Sequence, residues 1–92
     1  MKSEAAITKA IIKFCRLEGH WVYKTWGSGY ARAGVPDILV CAKGKFVAFE
    51  VKNEAGKVSK LQEFEIKNIK KAGGVAAVVR NLDEAVEILS EL

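Results

Sequence analysis

The stretch VPDILVCAKGKFVAFEVK, residues 35–52, constrains the fold more than any other part of the chain. Two apolar, β-branched runs flank Lys43-Gly44, a pair suited to a tight turn, so the segment predicts a β-hairpin with strands from Asp37 to Ala42 and from Lys45 to Lys52. With the turn centred on Lys43-Gly44, cross-strand partners have residue numbers that sum to 87, for a loop of two residues or of four. Asp37 then faces Glu50. Leu39, Ala48, Cys41 and Phe46 share that acidic face, and Ile38, Val40, Val47, Phe49 and Val51 take the other. Both faces are largely apolar, as in central strands. A loop of odd length would put the two acids on opposite faces.

Lys52 lies two residues past Glu50 and shares its face, so three charges gather at one end of the hairpin. Carboxylates about 5 Å apart repel by roughly 3 kcal/mol at an effective dielectric of 20, more than one lysine offsets. A divalent cation between them turns repulsion into coordination by hard oxygens of the kind Mg²⁺ accepts. The alternative is a frayed hairpin end, with Asp37 in a turn after Pro36, Glu50 in water and Lys52 in a surface ion pair.

The flanking elements follow from periodicity. Ser3 to about Leu17 carries Ile7, Ile11, Phe14 and Cys15 on one helical face, with Ser3 as N-cap. HWVYK, residues 20–24, predicts a strand, and the glycine-containing TWGSGYARAG after it a loop. Ser59 opens a second helix whose Leu61, Phe64, Ile66 and Ile69 are expected to form its apolar stripe, with Gly73-Gly74 ending it. VAAVVR, residues 75–80, predicts a strand, and Asn81 with Glu84 has the spacing of a capping box opening a last helix. The order is αβββαβα, without a repeat or linker.

Two further residues have double readings. Glu4 shares the stripe of Ile7 and Ile11 and so leans toward the sheet, but an acid in a first turn is also favoured by the helix dipole. Gln62 completes the capping box S-x-x-Q with Ser59, and it lies on the side of Ile66 and Ile69, from which it can face the sheet.

These residues together resemble a known family. Glu4 in a first helix, GVPDILV (34–40), FEVK (49–52) and GKVSKLQ leading into a helix that ends AGG are similar to the VRR-NUC family of PD-(D/E)XK nucleases, over nearly the whole chain. The resemblance implies an α/β fold of the restriction-endonuclease-like kind, a mixed central sheet flanked by helices. It implies that Asp37, Glu50 and the Val51 backbone carbonyl are ligands of Mg²⁺ or Mn²⁺, and that Glu4 assists directly or through water. Lys52 would position or polarise the attacking water or the scissile phosphate, and Gln62 would orient Lys52 or a phosphate. Small stand-alone members look like Holliday-junction-resolvase-like enzymes that act as homodimers on four-way junctions. A DNA-binding module without activity, and a flap-type or restriction-like nuclease, are the competing readings.

The rest of the composition agrees with such a role. Fifteen Lys and Arg against eleven Asp and Glu give a charge of +4, which suits a polyanion without demanding one. Lys24, Arg32, Lys57 and Lys60 are candidates for phosphate contacts near the active end, and Trp26 and Tyr30 for stacking on bases. A connector with Trp26 tucked on the core is the other reading of that loop. Lys67, Lys70 and Lys71 are expected on a solvated helix face. Cys15 and Cys41 lack zinc-site spacing and are expected to be buried reduced thiols, and His20 is expected to be structural. Residues 1–92 suffice for one domain with a core. With no stretch near the roughly 18 apolar residues that span a bilayer and no signal-peptide pattern, the chain is expected to be intracellular and not secreted.

Overall fold

The computed structural model of the chain describes residues 1–25 and 32–92. The elements are α1 (Glu4–Leu17), β1 (Trp21–Lys24), β2 (Ile38–Ala42), β3 (Lys45–Val51), α2 (Lys60–Lys71), β4 (Val75–Val79) and α3 (Leu82–Ser90). The predicted αβββαβα order is borne out. The four strands form one sheet in the order β1-β2-β3-β4. β2 pairs antiparallel with both neighbours, while α2 carries the chain over to a parallel β4, which makes the sheet mixed.

The hairpin takes the predicted register. Ile38 pairs with Phe49, Val40 with Val47 and Ala42 with Lys45, each pair summing to 87. Lys43 (φ 54°) and Gly44 (φ 75°) both have left-handed backbone, the requirement of a two-residue type I′ turn whose twist matches its strands.

One sheet face carries the main core. Ile7, Ile11 and Cys15 of α1 meet Ile38, Val40, Val47 and Phe49, and Ala85 and Leu89 of α3 close the same cluster. Ser3 caps α1 by accepting from the Ala6 N–H. Asn81 caps α3 by accepting from the Glu84 N–H, but the Glu84 carboxylate reaches back to the N–H of Arg80 at 2.7 Å instead of that of Asn81. The expected capping box is thus shifted by one residue on its acidic side.

The other face is only partly covered. α2 packs against β4, and its inward side is Gln62, Glu65, Ile66 and Ile69. Two expectations are corrected here. Leu61 and Phe64 do not join the buried stripe and are more than half exposed, because the helix sits at the β4 side of the sheet and both residues lie away from it. Cys41 is exposed, not buried: alternation along β2 put it on the acidic face beyond the cover of α2, while Cys15 is buried as expected. Burial pushes the Cys15 thiol above its ordinary pKa, which keeps it protonated and inert. Lys67, Lys70 and Lys71 are exposed. Among the described residues no helix is long and apolar enough to cross a membrane.

Candidate active site

Asp37 stands one residue before β2 and Glu50 one residue before the end of β3, so the hairpin register brings them to the same sheet end. The backbone of Asp37 is pinned from β1: its carbonyl accepts from the Thr25 N–H at 2.9 Å, and the Thr25 hydroxyl bridges the carbonyls of Pro36 and Asp37. Its side chain turns inward, where Oδ2 accepts from the Val51 N–H at 2.8 Å. The N–H and C=O of one strand residue point to the same edge, so the Val51 carbonyl also faces the Asp37 side. The segment before Asp37 is pressed onto α2. Gly34 has φ +88°, and a Cβ there would lie 2.6 Å from the Leu61 carbonyl oxygen. That close approach explains the glycine of the GVPD stretch.

Glu50 is the centre of the cluster. It is 2% exposed, its Oε2 accepts from Gln62 Nε2 at 3.1 Å, and the Lys52 ammonium lies 3.8 Å from the same oxygen. Its Oε1 is buried without a hydrogen-bond partner. Burial, and then the neighbouring Asp37 carboxylate, push the Glu50 carboxyl up to about 8; Lys52 opposes this and Glu4 adds to it. With protein groups alone around it, the site thus favours the neutral form of Glu50 far more than water does.

Gln62 fulfils both of its readings together. Its Oε1 accepts from the Ser59 N–H at 2.9 Å in the α2 capping box, which leaves the Nε2 end for Glu50. Glu4 leans toward the sheet as predicted, but its Oε2 accepts from the Asn53 N–H at 3.3 Å, so it stands beside the Asp37–Glu50 pair and not inside it. Among the described residues no three His, Cys, Asp or Glu side chains converge into a ready-made ligand set.

The donors present suit a hard divalent cation. A buried carboxylate oxygen with no partner, a second carboxylate at the same strand end and a backbone carbonyl are all oxygen ligands, and a few acids completed by water match the habit of Mg²⁺. A cation there would also relieve the repulsion that raises the Glu50 pKa.

The residues expected to hold DNA are more scattered. Lys24, Lys57 and Lys60 are exposed, at the end of β1 and around the start of α2. Arg32 is engaged by Glu65 of α2, at 2.7 Å from Nε and 3.1 Å from Nη2, although its side chain is 75% exposed. Trp26 and Tyr30 lie outside the described residues. His20 is half-buried just before β1, away from the acids in sequence and without a role in the cluster.

Three residues escaped the sequence reading. Glu65 is buried on α2, three residues after Gln62 on the same side, and that spacing was a usable signal. Arg80 donates to the carbonyls of Asn53 and Gly56, and Asn53 anchors Glu4; long-range pairing of this kind leaves no local pattern.

Comparison with known proteins agrees with the fold. One similar solved structure, described as a VRR_NUC domain, is 27% identical with a TM-score of 0.78, over 95% of this chain and 94% of that one. A second, described as a VRR_NUC domain protein, is 14% identical with a TM-score of 0.79, over 99% of this chain and 89% of that one, and speaks to the fold alone. No curated protein matches. The family model of the archaeal Holliday junction resolvase (Hjc) matches residues 4–87, from the Glu4 carboxylate to the last helix. A match of that extent, on a VRR_NUC-like fold, means that the chain belongs to the archaeal Holliday junction resolvase (Hjc) family of nucleases.

Proposed function

We propose that residues 1–92 act as one Mg²⁺-dependent, structure-selective endodeoxyribonuclease domain that hydrolyses phosphodiester bonds in branched DNA such as four-way junctions. Mn²⁺ would serve in place of Mg²⁺. The observation that carries this reading is the Glu50 carboxylate, buried, with one oxygen unpartnered and with Asp37 and Lys52 beside it. A buried acid in that state costs stability and is retained where an ion or a reaction needs it.

Asp37, Glu50 and the Val51 carbonyl would hold the cation, with Glu4 acting through water from its place on Asn53. When bound, the cation supplies a nucleophile at neutral pH and Lewis acidity at the phosphate. Lys52, with its side chain only 14% exposed, keeps an ammonium at the cluster, where it orients the attacking water or offsets charge growing on the phosphate oxygens. Gln62 holds the Glu50 carboxylate by Oε2 and would leave Oε1 available to the cation. Lys24, Arg32, Lys57 and Lys60 would grip phosphates, and Trp26 and Tyr30 would stack on exposed bases.

A homodimer fits a junction of near two-fold symmetry. Its support is the aromatic face left open by α2, where Trp21, Tyr23 and Phe46 are about half exposed. Action on branched DNA would put the protein inside the cell.

Four-way, flap and linear duplex DNA, offered to one preparation with Mg²⁺ and with EDTA, test the reading. Junction cleavage only with Mg²⁺, abolished by Glu50→Ala or Lys52→Ala while junction binding persists, is the expected result. Equal binding under both conditions without cutting would make the chain an inactive DNA-binding module, and preferred cutting of flaps or linear duplex would make it a different nuclease.

A further inference from the structure

Arg80 lies just past β4 and outside the candidate site residues, yet its side chain crosses to the turn that follows Lys52. Its Nη1 donates to the Asn53 carbonyl at 2.6 Å and to the Gly56 carbonyl at 2.9 Å. The turn is also closed from within: Asn53 Oδ1 accepts from the N–H groups of Ala55 and Gly56. Arg80 is itself held by its backbone N–H, which donates to Glu84 in the first turn of α3.

The far side of this turn touches two residues of the cluster. A Cβ on Gly56 would lie 2.7 Å from Glu4 Oε2 and 3.2 Å from Lys52 Cδ, so both side chains rest on the bare backbone at that position. Glu4 is tied to the same turn through the Asn53 N–H. A continuous set of contacts thus runs from α3 through Arg80 and the 53–56 turn to the Glu4 carboxylate and the Lys52 side chain. Lys52 needs such a support. Its stem has several rotatable bonds, its only ion-pair partner among the described residues is a carboxylate 3.8 Å away, and its backbone N–H is already committed to the Val79 carbonyl. Arg80 supplies it because a planar guanidinium forms charge-assisted bonds of fixed geometry, and two of them from one nitrogen leave the turn little freedom.

We infer that Arg80 is a positioning residue for the hydrolytic reaction: by clamping the 53–56 turn it holds Gly56 against Lys52 and Glu4, and so sets where the ammonium and the carboxylate stand relative to Glu50. The inference rests on the nuclease reading for its kinetic consequence but not for its structural one.

The test compares wild type, Arg80→Met, Arg80→Lys and Gly56→Ala, with thermal melts to confirm folding. Two quantities are read: kcat and KM on four-way junction DNA, and the side-chain NMR signal of Lys52 in ¹³C-lysine-labelled metal-free protein, assigned with Lys52→Arg. Arg80→Met is expected to lower kcat by roughly 10- to 100-fold with KM unchanged, as small misplacements of reacting groups do, and to shift or broaden the Lys52 signal. Gly56→Ala, which displaces the same two side chains with Arg80 intact, should give the same pattern, and the double variant should lose no more than the worse single one. Arg80→Lys keeps the charge without the planar fork and should recover part of the rate. If Arg80→Met does not fold, Arg80→Lys and Gly56→Ala carry both readouts. A raised KM with kcat intact would make Arg80 a phosphate contact and overturn the inference. So would a lowered melting temperature with kcat and the Lys52 signal untouched. If wild type cleaves no DNA with any divalent ion, the nuclease reading has failed, and the Lys52 signal alone still decides whether Arg80 positions that side chain.

Discussion

Gln62 serves Ser59 and Glu50 with opposite ends of one amide, its oxygen accepting from the Ser59 N–H and its nitrogen donating to Glu50 Oε2. A capping residue at the third helical position points back over the helix start, and here the helix start lies over the end of β3. The cap and the contact to Glu50 are therefore made by the same rotamer.

Substitutions at Gln62 separate the two ends. Gln62→Ala loses the cap and the Glu50 bond and should cost about 1–2 kcal/mol in urea unfolding, with cleavage strongly reduced. Gln62→Glu keeps a capping-box acceptor but sets a third carboxylate against Glu50. It should unfold at lower denaturant than wild type in EDTA at neutral pH, regain much of that with Mg²⁺, and cleave poorly. Equal losses from both substitutions in EDTA and Mg²⁺ alike would mean that only the cap matters.

Glu50 makes stability depend on pH with a definite sign. Its carboxyl is held at about 8 against an ordinary 4.5, by burial first and by Asp37 second, so the fold favours the protonated form. That contribution is complete below about 4.5 and is lost as pH rises through about 8. In EDTA the melting temperature of wild type should therefore fall relative to that of Glu50→Gln between those limits. Cation binding requires the carboxylate, so calorimetry at pH 7 in buffers of different ionisation enthalpy should show release of up to about one proton per ion. A constant gap between the two proteins across that range would contradict the burial of a titrating acid here.

Asp37→Asn tests the partner acid. An amide oxygen can still accept from the Val51 N–H, and its NH₂ group can donate toward Glu50, so the local structure survives while the repulsion disappears. The variant should be at least as stable as wild type in EDTA, bind divalent ions more weakly by calorimetry, and cleave little. Unchanged ion affinity would remove Asp37 as a ligand.

How far the sequence foretold this structure depended on the range of each interaction. The register was legible because Lys43-Gly44 sets it locally and parity does the rest, which is why Ile38 meets Phe49 as expected. The caps at Ser3, Ser59 and Asn81 were legible for the same reason. Alternation told which residues share a face with Cys41 but not whether a helix lies over them, since that depends on where α2 lands. Leu61 and Phe64 were misassigned on the same account: an apolar residue on a helix states a preference for burial, and the supply of sheet beneath decides whether it is met. Arg32 with Glu65, and Arg80 with the 53–56 turn, join distant positions and had no signature in spacing.

The open sheet face supplies the last prediction. Strand pairing sets Trp21 opposite Cys41 and Cys41 opposite Phe46, and the rings of Trp21 and Tyr23 stack with centroids 6.1 Å apart. Trp21, Tyr23 and Phe46 each offer on the order of 100 Å² on this face, a combined area of the size that marks interaction surfaces. Bases would also stack on such rings, but β1 ends at the acidic cluster and Trp21 is the residue of that strand farthest from it, so the face is tested as the contact of the proposed homodimer. Trp21→Lys combined with Phe46→Lys should leave the fold stable to within about 0.5 kcal/mol, since both residues are exposed, and should shift sedimentation from dimer to monomer. Junction cutting should then change from paired incisions within one bound complex to single nicks. A variant that sediments as wild type does, or a wild type that is monomeric at the concentrations where it cuts junctions, would remove this face as the dimer contact.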